Sequence, residues 1–224
     1  MDYTLELIIK LLSRALMLLL VLPVMNCAKG LVAKKQGDNT AEQSGRITLN
    51  PMAHLDLLGS LLIMLIGFGW SKPMPINYLR MKNTKKGIIL VALTGPLSLF
   101  LMSIVCRNIS AALFAFLGYE NITVWAIAFI FSMLSDISVS IGVLHLLPLP
   151  GMDGFILLYY LTGNKFAAWY HKNQRAIDQY SFYVFMGLIL IGRLTNGLID
   201  PIGWIINIFD WLLSLTTFWT LFIQ

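Results

Sequence analysis

Residues 87–106 read Gly-Ile-Ile-Leu-Val-Ala-Leu-Thr-Gly-Pro-Leu-Ser-Leu-Phe-Leu-Met-Ser-Ile-Val-Cys, twenty positions without a charge. A helix of about 20 apolar residues reaches across a hydrocarbon core of about 30 Å, so this stretch predicts a membrane-spanning helix. Five more apolar runs flank it, at 5–33, 56–71, 121–147, 177–199 and 202–222. The run at 56–71 has only fifteen uncharged residues (57–71) and reads as short or incompletely spanning. Pro201 falls between the last two runs and cannot carry a preceding helix onward, which predicts a tight turn there. Residues 151–161 are apolar but short and open with Pro148, Pro150 and Gly151; broken backbone at that depth needs protein or a water cavity around it. The whole composition agrees. Apolar residues make up 58% of the 224, charged residues 12%, and mean hydropathy is +0.76. Soluble domains carry about 45–50% apolar and about 25% charged residues, so the soluble and disordered classes are excluded.

Sixteen Lys and Arg against eleven Asp and Glu give a net charge of +5. Without a basic stripe interleaved with aromatics, that excess reads as membrane topology and attraction to anionic lipid, and no nucleic acid is expected. Cys27 and Cys106 both lie in apolar segments and read as small buried hydrophobes. Asp2 and Glu6 spoil a basic amino-terminal region, and Met25-Asn26 before Cys27 is not a lipoprotein cleavage site, so the first run reads as a retained helix.

Loop charge orients the bundle. Residues 72–86 hold Lys72, Arg80, Lys82, Lys85 and Lys86 with no acid, and 163–176 hold Lys165, Lys172 and Arg175. The loop between them, 107–120, has only Arg107 and Glu120. Basic loops stay cytoplasmic, which predicts an all-α, multi-pass protein of a prokaryotic cytoplasmic membrane, with about six spans and both termini inside. That arrangement sets Lys34, Lys35 and Arg46 on the opposite side. No repeat, low-complexity run or linker divides the chain, so residues 1–224 read as a single membrane domain.

Three segments are polar or marked by Pro and Gly inside this apolar chain. They are Gly45-Arg46-Ile47-Thr48-Leu49-Asn50-Pro51-Met52-Ala53-His54-Leu55-Asp56, Phe68-Gly69-Trp70-Ser71-Lys72-Pro73-Met74-Pro75-Ile76-Asn77 and Leu146-Leu147-Pro148-Leu149-Pro150-Gly151-Met152-Asp153-Gly154. With Ala92-Leu93-Thr94-Gly95-Pro96 inside the third span, their order and spacing resemble the site-2 protease family of intramembrane zinc metalloproteases, in its short prokaryotic form. The resemblance covers about residues 15–162, with two additional spans at about 177–222. It implies a helical membrane core with a re-entrant, possibly strand-like piece near 45–55. It also implies a His-Glu-x-x-His on the first core helix. Histidines at i and i+4 share one helical face and bind zinc, and the Glu serves as general base. The third zinc ligand in the family is the Asp of the Pro-x-Pro-x-x-Asp-Gly loop, a position that Asp153 matches.

Counting back from the Gly-Arg-x-Thr-Leu-Asn-Pro element places that motif at residues 25–29, which read Met25-Asn26-Cys27-Ala28-Lys29. Both histidines and the glutamate are replaced. Met25 offers a soft thioether that suits zinc poorly, Asn26 cannot take a proton as a carboxylate does, and Lys29 brings a cation. No catalytic residue and no cofactor are therefore expected. The cleft departs from the family pattern elsewhere too, with His145 and Leu99 where the family has Asn and Gly151 for the second Pro of a Pro-Pro pair.

Lys29 and Asp153 are both too costly to stand alone at membrane depth. The expectation is that the Lys29 ammonium replaces the metal as the cation holding Asp153, with Asn26 adding a hydrogen bond; the alternative leaves Lys29 snorkelling to the interface and Asp153 in water. His54, His145 and Asp153 would be the ligands of a displaced zinc site if one exists. Asp136, among Ser132, Ser135, Ser138 and Ser140, reads as a helix-packing contact or a proton relay. Trp70, Trp125, Trp204 and Trp219 fall near span ends as interfacial anchors. The favoured reading is a catalytically degenerate family member that binds a transmembrane segment of another membrane protein or supports a membrane complex. An active metalloprotease with a displaced metal site and a small transporter or lipid-handling protein are the competing readings.

Overall fold

A computed structural model of the chain describes residues 3–67, 69–118 and 120–217. Helix α1 (Tyr3–Leu16) continues through a π turn, Met17–Val21, into α2 (Leu22–Lys35). Pro23 enters the first turn of α2, and because proline has no N–H to donate, the wider π register absorbs the missing bond without stopping the helix. The short α3 (Thr40–Gln43) precedes an irregular stretch, and α4 (Leu57–Ile66) follows. The long α5 (Thr84–Leu117) and α6 (Ile122–Leu146) come next, then α7 (Asp153–Leu161), α8 (Asn164–Leu194) and α9 (Pro201–Ser214).

Among the described residues, three helices are long and apolar enough to cross a membrane, Leu7–Lys35, Thr84–Leu117 and Ile122–Leu146, where the sequence reading expected six spans. Each shortfall has a local cause. Helix α4 has ten residues, about 15 Å, half of what a hydrocarbon core demands. Its amino end is capped by the Asp56 carboxylate, which accepts from Gly59 N–H, and Gly67 ends it in the left-handed conformation. Arg14 Nη1 donates to the Met64 and Leu65 carbonyls at 2.6 and 3.0 Å, satisfying groups that the helix end leaves open. The chain then turns back along its own helix. A Cβ on Gly59 would stand 2.2 Å from the Trp70 carbonyl oxygen, one on Gly69 would meet Gly59 O at the same distance, and Lys72 N–H donates to His54 O. Segment 57–72 thus goes out and returns to one end of the molecule. The expected span at 177–199 is the tail of α8, a 31-residue helix whose first half carries Lys165, Lys172, Arg175 and Asp178. Of the last expected span, 202–222, α9 takes up the part that ends at Ser214, and residues 218–222, including Trp219, lie outside the described residues. Pro201 does open that helix, behind an Asp200 cap.

The expected opposition of Lys34, Lys35 and Arg46 to the 72–86 loop is corrected by the packing. Lys82 N–H donates to Gln36 O, Asn77 N–H to the Asp38 carboxylate, and Arg46 Nη2 to Lys72 O. Residues 36–46 and 72–82 therefore form one polar layer at a common end. No strand forms among the described residues, so the strand-like piece near 45–55 is corrected as well. Side chains claim that backbone instead: Thr48 Oγ1 accepts from Asn50 N–H, Asn50 Oδ1 from Met52 N–H, and His54 Nε2 reaches Thr48 O at 2.8 Å. Such local bonds give the chain an alternative to a ladder.

Helices α5 and α6 form an antiparallel hairpin. Ser103 and Ser135 hydroxyls meet at 2.8 Å and Ser110 Oγ donates to Ala128 O, fixing its register through small residues that let the backbones approach. Leu18, Val21, Leu22 and Met25 pack with Ile63, Leu99, Cys106 and Leu134 in the main apolar cluster. Cys106 is buried and Cys27 half-buried, both unpaired.

Candidate functional site

Helix α2 presents Met25 and Lys29 four residues apart on one face, and that face looks toward the start of α7. Lys29 Nζ lies 2.8 Å from Asp153 Oδ1 and 2.6 Å from Oδ2, across 124 positions of sequence. Both groups are withdrawn from solvent, with side-chain exposures of 12% and 7%. Asp153 is the first residue of α7, where the free N–H groups of the first turn favour a negative charge. His145, from the last turn of α6, places Nδ1 3.0 Å from Asp153 Oδ2; an ionised carboxylate accepts only, so the imidazole proton sits on Nδ1.

Two glycines make this convergence possible. Helix α5 passes directly beneath the pair at Gly95, where a Cβ would come within 2.4 Å of Lys29 Cε and 2.9 Å of Asp153 Oδ2. At Gly154 a Cβ would lie 2.0 Å from Leu146 O, so only glycine lets α7 start this close to the end of α6. The Gly95-Pro96 run and the Asp153-Gly154 pair are thus steric requirements of the same site.

The ion pair borders a cavity of about 480 Å³ whose wall is mostly apolar, with Met25, Trp70, Met74 and Ile156 beside Asn26, His145 and Asp153. Asn26 does not bond to Asp153 as expected; its Nδ2 donates to Ser71 Oγ at 3.1 Å and ties α2 to the returning segment after α4. Ser71, Trp70 and Gly95 are site residues that the sequence reading did not single out as such. Gly95 lay in a motif already noticed, while the polar placement of Ser71 beside Asn26 needs the fold to be seen.

His54 stands apart from the other two histidine and carboxylate candidates. Its ring is fully buried under the 45–53 stretch, with Nε2 on Thr48 O and Nδ1 without a partner. Burial pushes its imidazole below the usual range, the Arg46 charge adds to that, and the hydrogen bond to Thr48 opposes it. Among the described residues no group of three or more His, Cys, Asp or Glu is placed to hold a metal, so the conditional set His54, His145 and Asp153 is not assembled.

The residues that face Asp153 do not fit a zinc ion. Zinc needs three protein donors or more, supplied by imidazole, thiolate or carboxylate. Here Asp153 and His145 are the two such groups, and a charged ammonium, which carries no lone pair, already occupies the space between α2 and the carboxylate. Chemically the arrangement neutralises and fixes an acid.

No family model matches the chain, and no solved structure matches it. A curated protein of Bacillus subtilis (strain 168), named "Putative zinc metalloprotease YwhC", is 33% identical to it over 165 residues, 73% of each chain. That extent of identity agrees with the motif order at residues 45–56, 68–77, 92–96 and 146–154, and the chain belongs to the site-2 protease family.

Proposed function

We propose that this protein is a non-cleaving member of its family, which holds a transmembrane segment of another membrane protein in the cleft beside α2. The observation that supports it most is the 2.6 Å contact of Lys29 with Asp153. In the family's chemistry that carboxylate serves a metal; here an ammonium serves it, and Asn26 stands where a general base is required. Removing groups that act together in catalysis costs several orders of magnitude in rate. The apolar cavity remains beside the pair, with room for side chains of a bound helix or of an unwound stretch of one. The backbone of residues 69–77, free of helix, borders it.

The proposed orientation follows from the polar layer. Lys34, Lys35, Arg46, Lys72, Arg80, Lys82, Lys85 and Lys86 all gather at one end, which the bias of cytoplasmic loops toward Lys and Arg assigns to the cytoplasm. Three crossings, α1–α2, α5 and α6, then bring 163–176 with its basic residues to the same side and leave residue 3 on the other.

Liposomes holding the purified protein and a fluorescently labelled transmembrane peptide test the reading. Saturable binding without cleavage, unchanged by a zinc chelator, is the expected outcome. Cleavage abolished by chelator would overturn it in favour of the activity in the name of the Bacillus relative.

A further inference from the structure

A second charged cluster lies nearer the α5–α6 turn, away from the cleft. Arg107 of α5 donates through Nη2 directly to the Asp210 carboxylate of α9, while Asp136 Oδ1 of α6 stands off at 3.7 Å from the same nitrogen. One guanidinium thus faces two carboxylates, and the direct contact belongs to Asp210. Among the described residues nothing else neutralises the Asp136 carboxylate, and its side chain is 65% exposed. Asp136 lies about 21 Å along the axis from the first residue of α6 and about 15 Å from the last, well inside the membrane span. An outward carboxylate at that depth has hydrocarbon for a neighbour, and hydrocarbon supplies neither countercharge nor hydrogen bond.

Beside Asp136 is a cavity of about 190 Å³ lined by Ser110, Ser132, Ser135 and Thr217, with Arg107 on one wall. Serine oxygens accept as well as donate, so the cavity offers acceptors around the one negative charge by which Asp136 and Asp210 together exceed Arg107. An ammonium needs that environment: three donors, one charge, a slim stem. A second copy of this chain has Lys34, Lys35, Lys85 and Lys86 only at the ends of its crossing helices, far from the depth of Asp136, and the cations deeper in those helices are already engaged. Arg14 is engaged on α4, Lys29 on Asp153, Arg107 on Asp210, and Lys10 is also engaged. We propose that Asp136 and the serine-lined cavity dock a transmembrane helix of a different protein, through one lysine of that helix placed at matching depth.

The test is energy transfer in phosphatidylcholine liposomes between the labelled full chain and synthetic Leu/Ala helices carrying one central Lys, Leu or Glu. The Lys helix is expected to associate about tenfold more tightly than the Leu helix, the scale of one interhelical polar contact at the upper end of the measured range. Asp136→Asn is expected to remove that preference and Asp136→Glu to keep it, with thermal melts confirming that both variants fold. Equal association of the Lys and Leu helices, or an undiminished preference in Asp136→Asn, would overturn the proposal. So would dimers of the chain alone that Asp136→Asn dissolves, since they would make a second copy the occupant.

Discussion

Replacing Lys29 by Met keeps the length of the stem and the packing against Gly95 but deletes the ammonium. Asp153 is then left with a side chain only 7% exposed and a single close partner, His145 Nδ1 at 3.0 Å. Breaking a buried pair from one side costs about 3–5 kcal/mol, because the remaining charge has lost its compensation. His145 and the α7 amino terminus still support the carboxylate, which places Lys29→Met near the lower bound, about 3 kcal/mol. For a domain of this size that corresponds to a fall in Tm of about 6–12 °C. The assay is thermal unfolding in detergent followed by tryptophan fluorescence, in a cycle with Asp153→Leu and the double variant. An apolar pair can replace a buried ion pair at little cost, so Lys29→Met with Asp153→Leu together is expected to recover most of the loss. A Lys29→Met protein melting within about 2 °C of the parent, or a double variant whose loss equals the sum of the singles, would refute the reasoning.

Three further outcomes follow from the same geometry. Gly95→Ala is expected to destabilise by about 1–3 kcal/mol, since its Cβ would intrude to 2.4 Å from Lys29 Cε, and to cost less in the Lys29→Ala background, where the melt can be repeated. Stability is expected to decline as pH falls below about 6.5: there the unfolded His54 takes up a proton that the folded, buried ring accepts only at lower pH, so the unfolded state gains. A Tm profile from pH 8 to 5 checks this, and His54→Gln should flatten it. Asp38→Asn is expected to cost about 1–3 kcal/mol and to speed proteolysis within 36–46. Burial alone would raise the Asp38 carboxyl, but the Thr40 hydroxyl, the Asn77 and Thr40 N–H groups and Arg80 hold it below its usual range, and an amide cannot satisfy that set of donors.

The parts of this protein that were legible in its sequence are those where one residue's physical demand is absolute. A twenty-residue run without charge can hardly be anything but a crossing helix, and residues 87–106 lie inside α5. Lys29 and Asp153 each require a partner at membrane depth, and the structure brings them into contact. What stayed hidden depends on how distant pieces close on one another. The apolar count of 57–71 does not distinguish a short span from a helix that doubles back; the close pairing of Gly59 with Gly69 and Trp70 does, and it exists only once the chain has folded. The common end of 36–46 and 72–82 rests on Asp38 and Arg46, ordinary loop residues in sequence that become buried anchors in the structure. The expectation aims Asn26 at Asp153 because it lies within one turn of Lys29, yet three residues along a helix leave the two side chains about 60° apart, enough to give Asn26 to Ser71.

Metal content tests the central claim most directly. Protein purified without chelator, exchanged into metal-free buffer with one equivalent of zinc added and then desalted, is expected to retain well under one tenth of an equivalent, in the parent and in Asp153→Asn alike. One equivalent of zinc held by the parent and lost in Asp153→Asn would contradict the account, because the carboxylate would then serve a metal and Lys29 could not be its counterion.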